Sequence, residues 1–152
     1  MVLELFLCLL CTLTLLALSV TDIRTYEIPV GYNLLICMLG VVRMLLDFSH
    51  WYQYAAGFFV VSSLFLAVHL FTGGRAIGGG DIKLMAAAGL FLGWKHILLA
   101  LAIGSAVALG IHAVLMVCKK KGRAFAFGPY LSVGIFCAML WGEEIWRYLM
   151  QV

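Results

Sequence analysis

Six continuously apolar runs, near residues 2–20, 30–46, 51–72, 83–94, 97–118 and 128–149, take up most of this 152-residue chain. Only short polar breaks separate them, so little sequence is left from which to build a water-facing surface. A helix that crosses the hydrocarbon core needs about 20 mostly apolar residues. The runs are unbroken rather than alternating, and this predicts helices, because a membrane strand is apolar only at every second position. With 65% hydrophobic and 11% charged residues, a soluble domain of this size has no interior large enough to hide the apolar side chains. The predicted fold class is an all-α integral membrane protein. It is a bundle of about six transmembrane helices forming one membrane-embedded domain over residues 1–152. The fourth run is short for a full crossing, and Gly89 and Gly93 near its end predict close packing against a neighbour or an incomplete crossing. The first run has Glu4 but no basic n-region and no small-residue cleavage pattern before Thr21, so it reads as a retained helix rather than a signal peptide.

Loop charge sets the predicted orientation. With six crossings, the 20–29, 73–82 and 119–127 breaks share one side. That side and its helix ends hold Arg24, Arg75, Lys83, Lys119, Lys120, Lys121 and Arg123, against Arg43, Lys95 and Arg147 on the other. Lys and Arg are retained in the cytoplasm, so both termini are predicted to lie outside a plasma (inner) membrane crossed several times. The Lys119–Arg123 cluster is the topogenic signal, with attraction to anionic membrane lipid as its secondary role. A net charge of +3, with no basic run interleaved with aromatics, excludes nucleic acid as a partner. Trp51, Trp94, Trp141 and Trp146 fall toward the outer ends, as an aromatic belt requires.

Two acids stand out against this background. Asp22 follows the first run, and Asp81 ends Gly78-Gly79-Gly80-Asp81 just before the fourth. Two crossings separate them, so both carboxylates are predicted at the same membrane face. Acidic residues beside membrane segments are costly and mark function. Either alone also reads as a helix-end residue, with Asp81 in a first turn where the helix dipole favours an anion. The three glycines shift the balance. They add nothing to packing against lipid, but they permit φ > 0 and close approach of another chain. Such a loop suits a site where an extended peptide lies against bare backbone.

At these residues the chain resembles a known family. Gly78-x-Gly80-Asp81 is the GxGD signature of membrane aspartyl proteases. Thr21-Asp22-Ile23-Arg24-Thr25-Tyr26-Glu27-Ile28-Pro29 resembles the first-aspartate motif of type IV prepilin peptidases. Lys83 matches their Gly-Asp-x-Lys continuation, and Phe127-Gly128-Pro129-Tyr130 is similar to their late Phe-Gly-Pro stretch. The resemblance implies an aspartic endopeptidase that removes a short basic leader from prepilin or pseudopilin substrates, cutting after a Gly at the cytoplasmic face. It implies Asp22 and Asp81 as the catalytic pair, with Pro29, Gly78, Gly79, Gly80, Lys83, Phe127, Gly128 and Pro129 as loop or substrate-binding residues. Pilus or secretion assembly machinery joins the implied partners. The chemistry is consistent, since two carboxylates held close do not both ionise easily and can divide the roles of base and acid. Which residue takes which role stays open.

Long members of that family carry an added cytoplasmic domain with paired CxxC motifs, zinc and methyltransferase activity. Here the first interhelical break is under a dozen residues and has no cysteine, so cleavage without methylation, and without metal or cofactor, is expected. Cys8 and Cys11 spell CxxC inside an apolar run with no second pair, and with Cys37, Cys118 and Cys137 they read as buried free thiols. His50, His69, His96 and His112 have no second ligand at metal spacing and read as packing or interfacial residues. Ser62, Ser63 and Ser105 are predicted to join helices by hydrogen bonds, and Asn33 to serve packing, with a hydrogen bond near the site as its other reading. Two other readings compete. A proton- or cation-coupled carrier would place its acids near the midplane of broken helices. A presenilin-like GxGD protease would have a Tyr where Thr21 precedes Asp22, and more spans.

Overall fold

The structure is a computed structural model and describes residues 2–117 and 126–151, with backbone only for 115–117. The readings made for Cys118, Lys119, Lys120, Lys121 and Arg123 therefore lie outside the described residues. Within them the chain forms α1 (Val2–Thr25), α2 (Val30–Leu46), α3 (Trp51–Thr72), α4 (Gly79–Leu92), α5 (Trp94–Val117) and α6 (Gly128–Met150), with a 3-10 turn at Phe48–His50. No strand occurs among the described residues. The protein is an all-α membrane bundle. Three segments, Val2–Thr25, Phe48–Thr72 and Trp94–Val114, are long and apolar enough to cross a bilayer.

The short fourth run becomes the centre of the molecule. At 14 residues, α4 is about 21 Å long, less than the ~30 Å of a hydrocarbon core. Every residue from Leu84 to Leu92 is buried, and α4 packs against α2, α3, α5 and α6. A helix that is apolar all round has to be covered by protein or lipid, and here protein covers it. The outward faces of the surrounding helices, such as Leu5, Leu9, Leu13 and Leu16 of α1, are left for lipid.

Small residues set how closely these helices meet. A Cβ added at Gly57 of α3 would strike the carbonyl oxygen of Gly89 in α4, and one at Gly89 would strike that of Gly57. The two backbones touch, as expected for Gly89. Gly134 of α6 meets the Ala100 carbonyl of α5 in the same way. Gly93 has another task. With φ +82 it caps α4, its N–H donating to the Gly89 carbonyl, a conformation that glycine adopts without steric penalty.

Two expectations are corrected. Ser62 and Ser63 do not join helices; their hydroxyls donate back to Phe58, Phe59 and Val60 carbonyls of their own helix, the local option always open to a helical serine. The helix limits also differ from the apolar runs. α1 continues to Thr25 and α4 begins at Gly79, so both aspartates sit inside helical turns rather than in loops. The tryptophans lie at the other end of the bundle. Trp51 and Trp94 begin α3 and α5, and Trp94 meets Trp146 edge-on at 5.8 Å.

Candidate active site

The end of α1 is built to turn sharply. Tyr26 adopts φ +55, a left-handed conformation uncommon for a residue with a side chain, and its N–H donates to the Asp22 carbonyl at 2.8 Å. Pro29, with φ −58, then opens α2. This tight junction pushes Ile28 inward between the two acidic segments. A Cβ at Gly80 would lie 2.9 Å from Ile28 Cβ, and one at Gly128 would lie 3.2 Å from Ile28 Cδ1. Asn33, one turn into α2 and buried, donates from Nδ2 to the Gly80 carbonyl at 3.4 Å.

Asp22 and Asp81 are 4% and 8% exposed, and each is held by the backbone of a glycine at a helix N-terminus. Gly128 begins α6 and its N–H donates to Asp22 Oδ2 at 3.0 Å. A Cβ there would come within 2.6 Å of the same oxygen, so only glycine fits without moving the carboxylate. Gly78 caps α4, which makes Asp81 the third helical residue. Its carboxylate reaches back to the backbone of Gly78, where an added Cβ would lie 3.3 Å from Oδ2, the placement of the reaching-back half of a capping box. The negative charge of Asp22 also acts on Asp81.

Both acids line one cavity of about 520 Å3, walled also by Tyr26, Phe65, Arg75, Leu101, Ser105 and Phe127. Of the other sequence-predicted residues, Gly78 and Gly80 join the wall and Gly128 binds Asp22. Gly79, Pro29, Lys83 and Pro129 stand outside the wall, Gly79 in the first turn of α4 and Lys83 exposed on that helix. The expected φ > 0 at the glycine triplet is not found. Gly78 is extended at φ −72 and Gly79 and Gly80 are helical, while the left-handed glycines are Gly73, Gly74 and Gly93. The triplet matters for space, since its missing side chains let Ile28 and the Asp81 carboxylate approach.

Phe65 and Leu101 escape the sequence reading, and Ser105 enters it only as a helix-joining residue, because each sits inside an apolar helix with no motif. Leu101 and Ser105 are one helical turn apart, which is the only sign that they share a face. Arg75, three residues before Gly78, could have been found from its closeness to the GxGD motif. Among the described residues, no three His, Cys, Asp or Glu side chains gather where they could hold a metal ion.

Residues 9–114 match the model of the type IV leader peptidase family, a stretch that includes both aspartates. A prepilin leader peptidase/N-methyltransferase of Aeromonas hydrophila is 38% identical over 97 residues, covering 62% of this chain and 33% of that protein. Proteins of the same name match more of the chain. That of Stutzerimonas stutzeri is 30% identical over 94% of this chain and 52% of its own length, and that of Escherichia coli K12 is 34% identical over 78% and 56%. The chain thus spans between a third and somewhat over half the length of these curated relatives. No solved structure matches it. On the family match, which spans more than half of the chain, the chain belongs to the type IV leader peptidase family.

Proposed function

We propose that this protein is a membrane aspartic endopeptidase that removes the leader from prepilin-like subunits at the cytoplasmic face of the plasma membrane. The observation that carries the reading is the meeting of Asp22 and Asp81 in one cavity at one end of the bundle, each set against the backbone of a glycine. In the proposed reaction a water lies between the carboxyl groups. The ionised one takes a proton from the water as its oxygen attacks the scissile carbonyl, and the protonated one gives its proton to the carbonyl oxygen. The tetrahedral intermediate collapses with proton transfer to the leaving nitrogen. The C–N bond breaks and the shared proton returns to the pair. Two acids are enough because each step moves only protons and a water.

The remaining parts of the reading follow from the same end of the molecule. Arg24 and Arg75 flank the cavity side, which supports a cytoplasmic orientation with both termini outside. The substrate's apolar helix lies in the membrane beside the bundle while its leader reaches the cavity. Prepilin or pseudopilin subunits are the proposed substrates, within a single peptidase domain. The test is co-expression with a type IV prepilin in cells lacking any other processing enzyme. The expected result is a shortened pilin whose new N-terminus follows the leader Gly. A pilin that keeps its leader in the presence of membrane-inserted protein would overturn the proposal.

A further inference from the structure

The sequence assigns His69 to packing or an interface, yet the residue reaches the loop before Asp81 at two points. α3 ends in a left-handed turn through Gly73 and Gly74, at φ +60 and +77. The Gly74 N–H donates to the His69 carbonyl at 2.8 Å. The chain then doubles back so that the Ile77 carbonyl lies 2.7 Å from His69 Nδ1. A carbonyl oxygen only accepts, so Nδ1 carries the proton in this bond. The imidazole lies over the bare Cα of Gly74, where a Cβ would sit 3.1 Å from Cε1. Thr72 adds a third tie, its Oγ1 accepting the Ala76 N–H at 3.4 Å.

The peptide at the end of this strap links histidine to acid. The Ile77 carbonyl and the Gly78 N–H belong to one planar trans peptide group, with no cis bond in the described chain. Its oxygen accepts from His69, and its other edge is Gly78, whose backbone lies against the Asp81 carboxylate, an added Cβ there falling 3.3 Å from Oδ2. A rigid plate held at one edge fixes the direction of the other. We infer that His69 is a positioning residue that orients the Asp81 carboxylate through the Ile77–Gly78 peptide. His69 touches neither substrate nor reacting atoms. The inference rests on the peptidase reading for its activity arm only.

The test uses two variants that separate the hydrogen bond from the packing. His69→Phe keeps a ring over Gly74 but has no donor. His69→Asn loses the ring but places an N–H close to the position of Nδ1. Both are purified in detergent and compared with wild type at equal protein, on cleavage of a type IV prepilin and on trypsin cutting after the exposed Arg75. The expected result for His69→Phe is a fall in kcat of about tenfold, the scale of one lost hydrogen bond. KM should change by less than about twofold, and tryptic cutting should be several-fold faster. His69→Asn should recover most of both. If His69→Phe does not accumulate, His69→Leu takes its place. Wild-type behaviour of the variant without a donor, or a His69→Asn no better than it, would overturn the inference. If wild type cleaves no prepilin, the peptidase reading fails, and the trypsin comparison alone still decides whether His69 holds the loop.

Discussion

The two ends of this bundle treat their acids differently. At the tryptophan end, side chains answer Asp47 and Glu143. Asp47 Oδ1 lies 2.9 Å from His50 Nδ1, and its Oδ2 accepts the Tyr54 hydroxyl at 3.1 Å. Glu143 Oε1 lies 3.4 Å from His96 Nε2. At the other end, Asp22 accepts the Gly128 N–H, Asp81 lies against the backbone of Gly78, and both line one cavity. A histidine or phenol can share or supply a proton; a backbone amide orients a carboxylate without doing so. The tryptophan end therefore uses its acids to hold structure, and in the proposed reaction the glycine end keeps its acids oriented for proton transfer.

The strongest way to break this contrast is to remove the acids one at a time. Asp22→Asn and Asp81→Asn should each lower prepilin cleavage by about 10²- to 10⁴-fold, the range of a lost acid–base group. Asp47→Asn should stay within about twofold of wild type, since a structural acid enters no step of the reaction. Initial rates, normalised to the amount of protein in the membrane, measure all three. A single Asn variant at the glycine end with full activity would end the claim that two carboxylates are needed.

The next effect is on folding. The α3–α4 crossing at Gly57 and Gly89 has no space for a side chain, so Gly89→Leu must separate the helices and tilt Asp81 with α4. Overpacking of this kind costs about 1–3 kcal/mol, sometimes more. Reduced accumulation in the membrane, or a lowered unfolding temperature in detergent, is the expected result. Normal stability would mean that the crossing is looser than the structure has it.

A smaller change tests how the amide holds the acid. Gly128→Ala places a methyl within 2.6 Å of Asp22 Oδ2, and either Ile28 or the carboxylate has to move. A fall of about tenfold in kcat is expected, the equivalent of ~1.4 kcal/mol. Gly110→Ala in α5 is the control, because nothing lies within 4 Å of its added Cβ. It should leave cleavage intact and favour the helix by about 0.5–1 kcal/mol.

These glycines also mark what could be read without coordinates. The apolar runs gave the helices because lipid imposes a long, continuous pattern, and an acid beside such a run is conspicuous at any position. Asp22, Asp81 and the close contact at Gly89 were legible for that reason. Contacts made across the bundle were not. Nothing in the apolar stretch around Ser105 sets it apart as a cavity residue. The serines of α3 could bond to a neighbour or to their own helix, and only packing decides. His69 reaches Ile77 because Gly73 and Gly74 take left-handed angles together, and a pair of glycines does not announce its turn. Helix ends moved for a related reason. Asp22 and the glycine triplet look like loop residues by polarity, but helical turns close around them once Ile28 and Gly128 pack against them.

The smallest expected effect returns to Asp47. The hydrogen bond from His50 holds its carboxyl below the ordinary carboxylate range, with burial opposing and the Tyr54 hydroxyl adding to the depression. A carboxyl whose folded value is depressed adds stability above its unfolded value, about 3.9. That contribution is lost as pH falls through the folded value. Wild type should therefore unfold at a slightly higher temperature than Asp47→Asn at neutral pH, and the gap should close as pH drops below the carboxylate range. The gap will be small, because the pair is exposed and screened by solvent. Unfolding temperatures in detergent across pH give the difference directly. A gap that stays constant with pH would mean that the Asp47 side chain acts by packing alone. A loss of cleavage in Asp47→Asn as deep as in Asp22→Asn would erase the distinction between the two ends.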